Sequence, residues 1–416
     1  MVLAVGYVAQ TGFQMVYFLV LVRLLGPDLF GRFAAALAAI MLVSPLAGLG
    51  YAEVALVRVS QRPQDAGLWA LNAIVATMVM GLLVSIGLAL GNGVLMSDQW
   101  LDSQYVFGLA LSELVITRCC GVIARIHQAS GQVAMTALNN SLLAAGKAGI
   151  ASALYLSGVR SLGVLVATLV VGLLPLAFWF YLVLVRRRGP MSFSWIRLRQ
   201  EFWLAFSFTT GMTSQVIYTD LDKLYLARWT TPYVVGTYTA GYKILTLAFM
   251  PIRAVLEATL ARQFQLATDN RSQCIRFTSK LLAVNVGMAS MIAVCLYFLA
   301  PFATLFLGSE FQESVAVLRI GFLLPVIQAV HYVLGNYLTA IGRQAYRTLN
   351  QIVTLIVYVI SGYIVIQHYS WPGAVYCSLV SETCLAVLFA VGCVYFTRLD
   401  RAQHVSAQRD QVMVIH

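Results

Sequence analysis

The feature that most constrains this chain is the recurrence, from end to end, of apolar segments of about 18 to 25 residues, the length that crosses a bilayer as a helix. No water is available inside the hydrocarbon core, so a spanning segment must satisfy its own backbone hydrogen bonds. We therefore predict an all-α polytopic membrane protein. About twelve spans are predicted, at residues 3–22, 30–52, 67–91, 105–126, 134–156, 162–185, 203–225, 233–252, 278–300, 316–340, 348–366 and 373–396.

The composition agrees with a chain that is dissolved in lipid. It is 60% hydrophobic and 10% charged, whereas soluble proteins average about 45–50% apolar and 25% charged residues. Most of the seven cysteines fall inside predicted spans and none form a CxxC pair, and the five histidines have no metal-ligand spacing. We predict no disulfide framework, no metal site and no cofactor.

The net charge of +11 is explained by the placement of the basic residues. Of the 27 Lys and Arg residues, 19 lie on one side of the predicted spans and 5 on the other. The positive-inside rule then places both termini in the cytoplasm. The charge excess is a topology signal, with some attraction for anionic membrane lipids, and does not indicate nucleic-acid binding.

Two similar segments indicate an internal repeat. RIHQASGQVAMTALNN (125–140) and NYLTAIGRQAYRTLNQ (336–351) share five positions at an offset of 211 residues, and a second register of 205 pairs, among others, Gly31 with Gly236. Both registers pair the first span with the seventh and the fourth with the tenth. We predict a six-helix N-lobe (1–185), a basic cytoplasmic linker (186–201), a six-helix C-lobe (202–397) and a cytoplasmic tail (398–416).

An even number of spans in each lobe makes the two repeats parallel, related by an axis along the membrane normal. In transporters of this kind the substrate binds near the midplane between the repeats, and rocking of one repeat exposes it to each side in turn. We therefore predict a transporter with a central cavity.

Ionisable residues at membrane depth are costly and usually functional. Lys147 and Lys243 lie in the middle of the fifth and eighth spans and would attract an anion such as a diphosphate. A Lys–Glu pair inside the bundle is the alternative. Arg319, at the outer end of the tenth span, is a third candidate, with snorkelling to the interface as its alternative.

Polar residues at helical spacing form three stripes that could line the cavity, with interhelical hydrogen bonding as the alternative. They are Gln10, Gln14 and Tyr17 on the first span, Thr210, Ser214 and Tyr218 on the seventh, and Gln328, His331 and Asn336 on the tenth. Pro45 and Pro251 interrupt the second and eighth spans and are predicted hinges, with packing kinks as the alternative.

Catalytic motifs are missing from the sequence. It contains no HExxH, no P-loop and no GxSxG, and no predicted outer loop is longer than about 14 residues. We predict that the protein is not an enzyme.

Four segments resemble, in order and spacing, the Wzx-type polysaccharide flippases of the multidrug/oligosaccharidyl-lipid/polysaccharide (MOP) exporter superfamily. They are RLLGPDLFGRFAAALAAI (23–40), TDLDKLYLARWTTPYVVGTYTAGYKI (219–244), LFLGSEFQESVAVLRI (305–320) and NYLTAIGRQAYR (336–347). The resemblance covers nearly the whole chain. The chain departs from the family pattern by starting almost inside the first span, and it lacks the two additional C-terminal helices of the lipid II flippases.

This resemblance implies a MATE/MOP-like fold in the bacterial inner membrane. It also implies flipping of undecaprenyl-diphosphate-linked oligosaccharide to the periplasmic leaflet for O-antigen, capsule or exopolysaccharide assembly, alongside polysaccharide polymerase machinery. The coupling ion would be H⁺ or Na⁺, and the implied coupling residues are Asp220 and Asp222, followed by Glu113 and Glu382. The alternatives are a cation-coupled multidrug exporter and a membrane-embedded glycosyltransferase or ligase.

Overall fold

The computed structural model describes residues 2–92, 101–188 and 191–413, and its regular elements there are helical. Three 3₁₀ turns connect some of the helices, at Pro63–Asp65, Ala300–Phe302 and Ser309–Phe311. The α-helices are α1 (Val2–Gly48), α2 (Tyr51–Gln61), α3 (Ala66–Leu90), α4 (Ser103–Ala110), α5 (Arg118–Ala129), α6 (Val133–Leu156), α7 (Leu162–Arg188), α8 (Trp195–Gln200), α9 (Phe202–Trp229), α10 (Pro232–Ala248), α11 (Met250–Asp269), α12 (Arg271–Leu299), α13 (Ala303–Leu307), α14 (Gln312–Gly321), α15 (Leu324–Ala340) and α16 (Gln344–Met413).

The helices confirm a multi-pass membrane protein. In the described part of the chain, seven are long and apolar enough to cross a membrane, or eight if the bent pair Ser309–Gly321 and Leu324–Ala340 forms one span. Two of the seven, α1 and α16, each contain a break and cover two predicted spans. Helices α6 and α9 contain more polar residues, but their 24 and 28 residues would extend about 36 and 42 Å, beyond the roughly 30 Å of a hydrocarbon core. All twelve predicted spans fall on helices.

The breaks occur at residues with unusual backbone angles. Gly26 interrupts α1 at φ 67° and ψ 174°, a conformation essentially restricted to glycine, and Ser370 interrupts α16 at φ 56°. Pro45 lies inside α1, while the turn at its end is made by Leu49 and Gly50 in the left-handed region. Pro251 stands in the first turn of α11, where its missing N–H leaves no helical bond unmade. The hinge function of both prolines stays a prediction.

The predicted fourth span is not a uniform α-helix. Between α4 and α5 the chain forms a π-helix at Leu111–Thr117. The wider turn of a π segment adds a residue to the helix and re-aims the side chains around it, and such segments are frequent at functional sites. This segment contains Glu113.

The chain divides into two compact units. Unit 1 comprises Met1–Thr239 with Thr304–Phe311, and unit 2 comprises Ala240–Ala303 with Gln312–His416. The border lies inside α10 and not in the basic linker, because α9 packs with α1 and α2 in unit 1. This grouping follows contacts and not the repeat, so the division into lobes at 1–185 and 202–397 stays a prediction. The segment predicted as a tail continues α16 as a helix to Met413.

A close helix crossing inside unit 1 relates the two repeats. A Cβ added to Gly31 would lie 1.7 Å from the Pro232 carbonyl oxygen, and one added to Gly236 would lie 2.1 Å from that of Pro27. Gly31 and Gly236, and likewise Pro27 and Pro232, are each 205 residues apart. Gly31 therefore lies against Pro232, and Gly236 lies against Pro27. Equivalent residues of the two repeats make equivalent contacts. Such reciprocity is the mark of twofold-related surfaces in contact, and it supports the 205-residue register.

Candidate functional site

A buried ion pair connects the π-helix to α6. The Lys147 amine donates to both Glu113 oxygens, at 2.7 and 2.8 Å, and the side chains are only 15% and 8% exposed. Tyr17 on α1 lies within electrostatic range of Glu113, and its buried hydroxyl has no hydrogen-bond partner among the residues that the structure describes. The structure thus shows the Lys–Glu pair that was the alternative for Lys147. Anion binding by Lys147 and ion coupling by Glu113 stay predictions.

A second polar cluster joins α9 to α10 in unit 1. The Tyr238 hydroxyl donates to Asp222 Oδ2, and both side chains are almost completely buried. The Lys223 backbone N–H donates to Asp222 Oδ1 at 2.8 Å, and the Lys223 amine pairs with Asp220 at 2.5 Å. Both predicted coupling acids are therefore already paired. The sequence analysis missed Tyr238, although it shares the quoted segment 219–244 with both acids.

A third cluster in unit 2 brings together three predicted residues from two helices. Glu382 on α16 accepts a hydrogen bond from Gln328 Nε2 at 3.0 Å, and its other oxygen lies 2.7 Å from His331 Nε2. His331 and Glu382 are buried, at 8% and 4% side-chain exposure. Tyr332 lies against the imidazole, with ring centroids 4.4 Å apart. The sequence assigned Gln328 and His331 to the cavity and Glu382 to coupling, and did not predict that they meet.

The remaining predicted residues are more scattered. Lys243 and Arg319 are exposed on α10 and α14, and the Arg319 guanidinium stands 5.8 Å from the Tyr297 ring centre. Gln10 and Asn336 are half-buried, whereas Gln14 is exposed. The Thr210 hydroxyl bonds to the Ser207 carbonyl. The side chains of Ser214 and Tyr218 lie outside those that the structure describes. A shared role of these residues in one cavity stays a prediction.

Unit 1 contains a cavity of about 210 Å³ that the sequence analysis did not predict. Arg118 and Arg125 of α5 line it, and they had been counted only as topology charges. Arg118, Gly121, Val122 and Arg125 lie at i, i+3, i+4 and i+7, so a single helix face carries them; this spacing was the available signal. The complete lining is Pro45, Gly48, Gly50, Ala52, Glu53, Thr77, Arg118, Gly121, Val122, Arg125 and Met212.

The glycine after α1 fixes one wall of this cavity. A Cβ on Gly50, which has φ 71°, would lie 2.1 Å from the Ala205 carbonyl oxygen of α9. The neighbouring Tyr51 hydroxyl donates to the Leu198 carbonyl at 2.9 Å. The start of α2 is therefore held directly against α8 and α9. In the part of the chain that the structure describes, no group of three His, Cys, Asp or Glu residues is placed to hold a metal ion.

Comparison with known protein families identifies the family of this chain. Residues 1–261 match the family model described as polysaccharide biosynthesis protein. The chain belongs to this family. This polysaccharide biosynthesis family member has no significant sequence match among curated proteins.

Solved structures show the fold of this family member. The lipid II flippase MurJ in an inward closed conformation matches with a TM-score of 0.76 at 12% identity, covering 94% of this chain and 87% of that one. An inward-facing multidrug resistance MATE family transporter of the MOP superfamily matches at 0.70 and 14%, covering 94% and 96%. A MOP superfamily transporter from Pyrococcus furiosus, described as having reversed binding-pocket polarity, matches at 0.64 and 15%, covering 96% and 94%.

These matches confirm the predicted fold class and family. The chain has the all-α fold of MOP superfamily transporters and belongs to a polysaccharide biosynthesis family. Identities of 12–15% show the fold alone, so the cargo and the coupling ion are matters for proposal.

Proposed function

We propose that this protein flips undecaprenyl-diphosphate-linked oligosaccharide repeat units from the cytoplasmic to the periplasmic leaflet of the bacterial inner membrane. Both termini would face the cytoplasm, and the product would pass to the machinery that polymerises surface polysaccharide. The observation that carries the proposal is a polysaccharide biosynthesis family match on a chain with a transporter fold. A member of such a family with this fold would move the lipid-linked sugar and not synthesise it.

The charges of the chain suit an anionic cargo. Lys243 is exposed on α10, and Arg319 is exposed on α14. Lys147, in contrast, is largely buried and paired with Glu113. We therefore assign first contact with the diphosphate to Lys243. A transporter of cationic drugs would be expected to present acidic groups instead.

The proposed transport is tested in proteoliposomes that contain a fluorescent undecaprenyl-diphosphate-linked disaccharide. A membrane-impermeant quencher added outside reports the fraction of label in the outer leaflet. We expect the purified protein to exchange the label between leaflets, and Lys243→Ala to slow this exchange. The control Lys280→Ala changes an exposed lysine on α12, at the predicted cytoplasmic end of its span, and should exchange at the wild-type rate.

The same vesicles test the alternative function, a multidrug exporter, which the structural similarity to MATE family transporters suggests. If they extrude a cationic dye under an ion gradient while the lipid-linked sugar stays in its leaflet, the flippase proposal is wrong and the exporter replaces it. Product formation from a sugar donor by detergent-solubilised protein would instead indicate a glycosyltransferase or ligase.

We further propose that the Glu382–His331 pair couples flipping to protons. A buried imidazole and a buried carboxylate 2.7 Å apart are the residue types that form proton relays in pumps and transporters. We expect Glu382→Gln, which keeps the shape and the acceptor for Gln328, to abolish acceleration by a pH gradient while leaving slow exchange intact. Glu257→Gln is the control, because Glu257 is exposed and pairs only along its helix. Unchanged gradient acceleration in Glu382→Gln would exclude this coupling site.

A further inference from the structure

The residues that line the cavity in unit 1 carry a net positive charge. Arg118 donates a hydrogen bond from Nη2 to the Ser44 hydroxyl at 2.6 Å. Among the residues that the structure describes, no carboxylate oxygen lies within ion-pair distance of its guanidinium. Arg125 differs, because its Nη2 lies 3.1 Å from Glu53 Oε1. Two arginines and Glu53 line the cavity, so the formal charges of its lining sum to +1. Glu53 and Glu113 are within electrostatic range of Arg118 but form no ion pair with it.

An unsatisfied hydroxyl faces the same space. Thr77 on α3 lines the cavity and is 1% exposed, and its hydroxyl has no hydrogen-bond partner within the described part of the chain. A Cβ added to Gly48 would lie 3.6 Å from Thr77 Oγ1, so the hydroxyl lies beside a second residue of the cavity lining. A buried hydroxyl without a partner costs free energy. Together with a guanidinium that has no ion-pair partner among the described side chains, it indicates a site built for a group that supplies acceptors.

The chemistry of these donors indicates a phosphate group. Guanidinium binds phosphate through paired charge-assisted hydrogen bonds, and the Thr77 hydroxyl approaches from a different helix. A tetrahedral phosphate has several oxygens, so it accepts hydrogen bonds from the guanidinium and from the hydroxyl at the same time. A volume of about 210 Å³ corresponds to about seven waters at roughly 30 Å³ each, which is room for a phosphate or diphosphate with part of its hydration shell.

We propose that this cavity binds the phosphate or diphosphate of a phosphorylated ligand, with Arg118 and Thr77 as its donors. The cavity lies at the ends of α1 and α5 that the charge distribution assigns to the cytoplasmic side, which is where phospholipid headgroups and newly made lipid-linked sugars both present their phosphates. The site is separate from Lys243, and binding can be measured whether or not the protein transports anything. If the cavity does not bind diphosphate, the proposed transport is unaffected. If the protein does not flip the lipid, the proposed binding site is likewise unaffected.

The test measures binding of inorganic diphosphate by calorimetry to the full chain in phosphatidylcholine nanodiscs. Arg118→Gln removes a charge-assisted hydrogen bond and should weaken binding at least 10-fold. Thr77→Val keeps the volume and removes only the hydroxyl, so we expect about 5-fold weaker binding. Because no described residue bonds to that hydroxyl, Thr77→Val should fold at least as well as the wild type, which separates lost binding from lost structure.

A cavity-filling variant tests the location. A Cβ on Gly121 meets no atom of the described residues within 4 Å, so Gly121→Leu can be accommodated while its side chain occupies the cavity, and binding should be lost. The matched control is Gly149→Leu, because Gly149 also has open space around its Cβ position but lies on an exposed part of α6. This control should bind as the wild type does. Thr168→Val is the control for Thr77→Val, and Arg187→Gln is the control for Arg118→Gln, because both residues lie outside the cavity lining.

Phosphatidylglycerol nanodiscs distinguish the source of the phosphate. If a lipid headgroup fills the site, they should weaken diphosphate binding to the wild type and leave the residual binding of Arg118→Gln unchanged. If the natural ligand is a diphosphate substrate, wild-type affinity should persist in both lipids. Either result supports a phosphate site. Absence of saturable binding to the wild type, or equal binding by the wild type, Arg118→Gln and Gly121→Leu, overturns the inference.

Discussion

The close crossing of Gly31 and Gly236 makes a sharp prediction about Gly31→Ala. The added Cβ would lie 1.7 Å from the Pro232 carbonyl oxygen and 2.9 Å from the Gly236 nitrogen. Ordinary van der Waals contact begins at 3.4 Å. The clash is with backbone atoms, which cannot rotate away as the end of a side chain can, so the two helices would have to separate by about 1.7 Å.

Two opposing terms set the magnitude. Overpacking a tight contact costs about 1 to 3 kcal/mol, and a clash with rigid backbone falls at the upper end. Alanine is favoured over glycine within a helix by about 1 kcal/mol. We therefore expect Gly31→Ala to destabilise the fold by about 2 kcal/mol, which is roughly a 30-fold change in the unfolding equilibrium. Gly236→Ala should cost a similar amount, because its Cβ would lie 2.1 Å from the Pro27 carbonyl oxygen.

The free energy of unfolding can be measured by reversible denaturation in mixed detergent micelles. Gly211→Ala is the matched control, because a Cβ there meets nothing within 4 Å. It should be neutral or more stable by up to about 1 kcal/mol. The double variant Gly31→Ala with Gly236→Ala should cost less than the sum of the single variants, because the first separation already relieves the second contact.

Hydrogen exchange adds a local measurement. Peptides covering residues 20–40 and 228–240 should exchange faster in Gly31→Ala, while peptides from α7 should not change. If Gly31→Ala is as stable as Gly211→Ala, or if the two glycine variants are fully additive, the reciprocal crossing and the pseudosymmetry inferred from it are refuted.

Two further predictions concern the buried polar clusters. Lys147→Met should destabilise the protein by about 3 to 5 kcal/mol because it leaves the Glu113 carboxylate buried and unpaired, whereas Lys147→Met with Glu113→Gln should recover most of that loss; single variants within 1 kcal/mol of the wild type in the same denaturation assay would contradict the pairing. Tyr238→Phe should cost about 1.5 to 3 kcal/mol because Asp222 loses a hydrogen bond to a charged oxygen, while Tyr155→Phe, at a tyrosine 43% exposed, should stay within about 0.5 kcal/mol of the wild type.

The sequence by itself determined the membrane class, the approximate spans and the family. These properties are local or additive: an apolar segment of span length has few alternatives to a helix in lipid, and the order of loosely matching motifs survives without knowledge of contacts. The repeat register was also readable, and the reciprocal contacts of Gly31 and Gly236 agree with it. The break at Gly26 falls between the first two predicted spans for the same local reason.

Only the tertiary structure decided which polar residues meet. Glu113 and Lys147 are 34 residues apart, and Gln328 and Glu382 are 54 apart, so no helical spacing could pair them. The cavity at Arg118 depends on five chain segments converging around glycines, and from the sequence its arginines looked like ordinary topology charges. Helix periodicity specifies which face of a helix a side chain occupies. The partner of that face is set by packing between elements that are distant in sequence. There, the free-energy cost of burying an unpaired charge selects which charged residues pair.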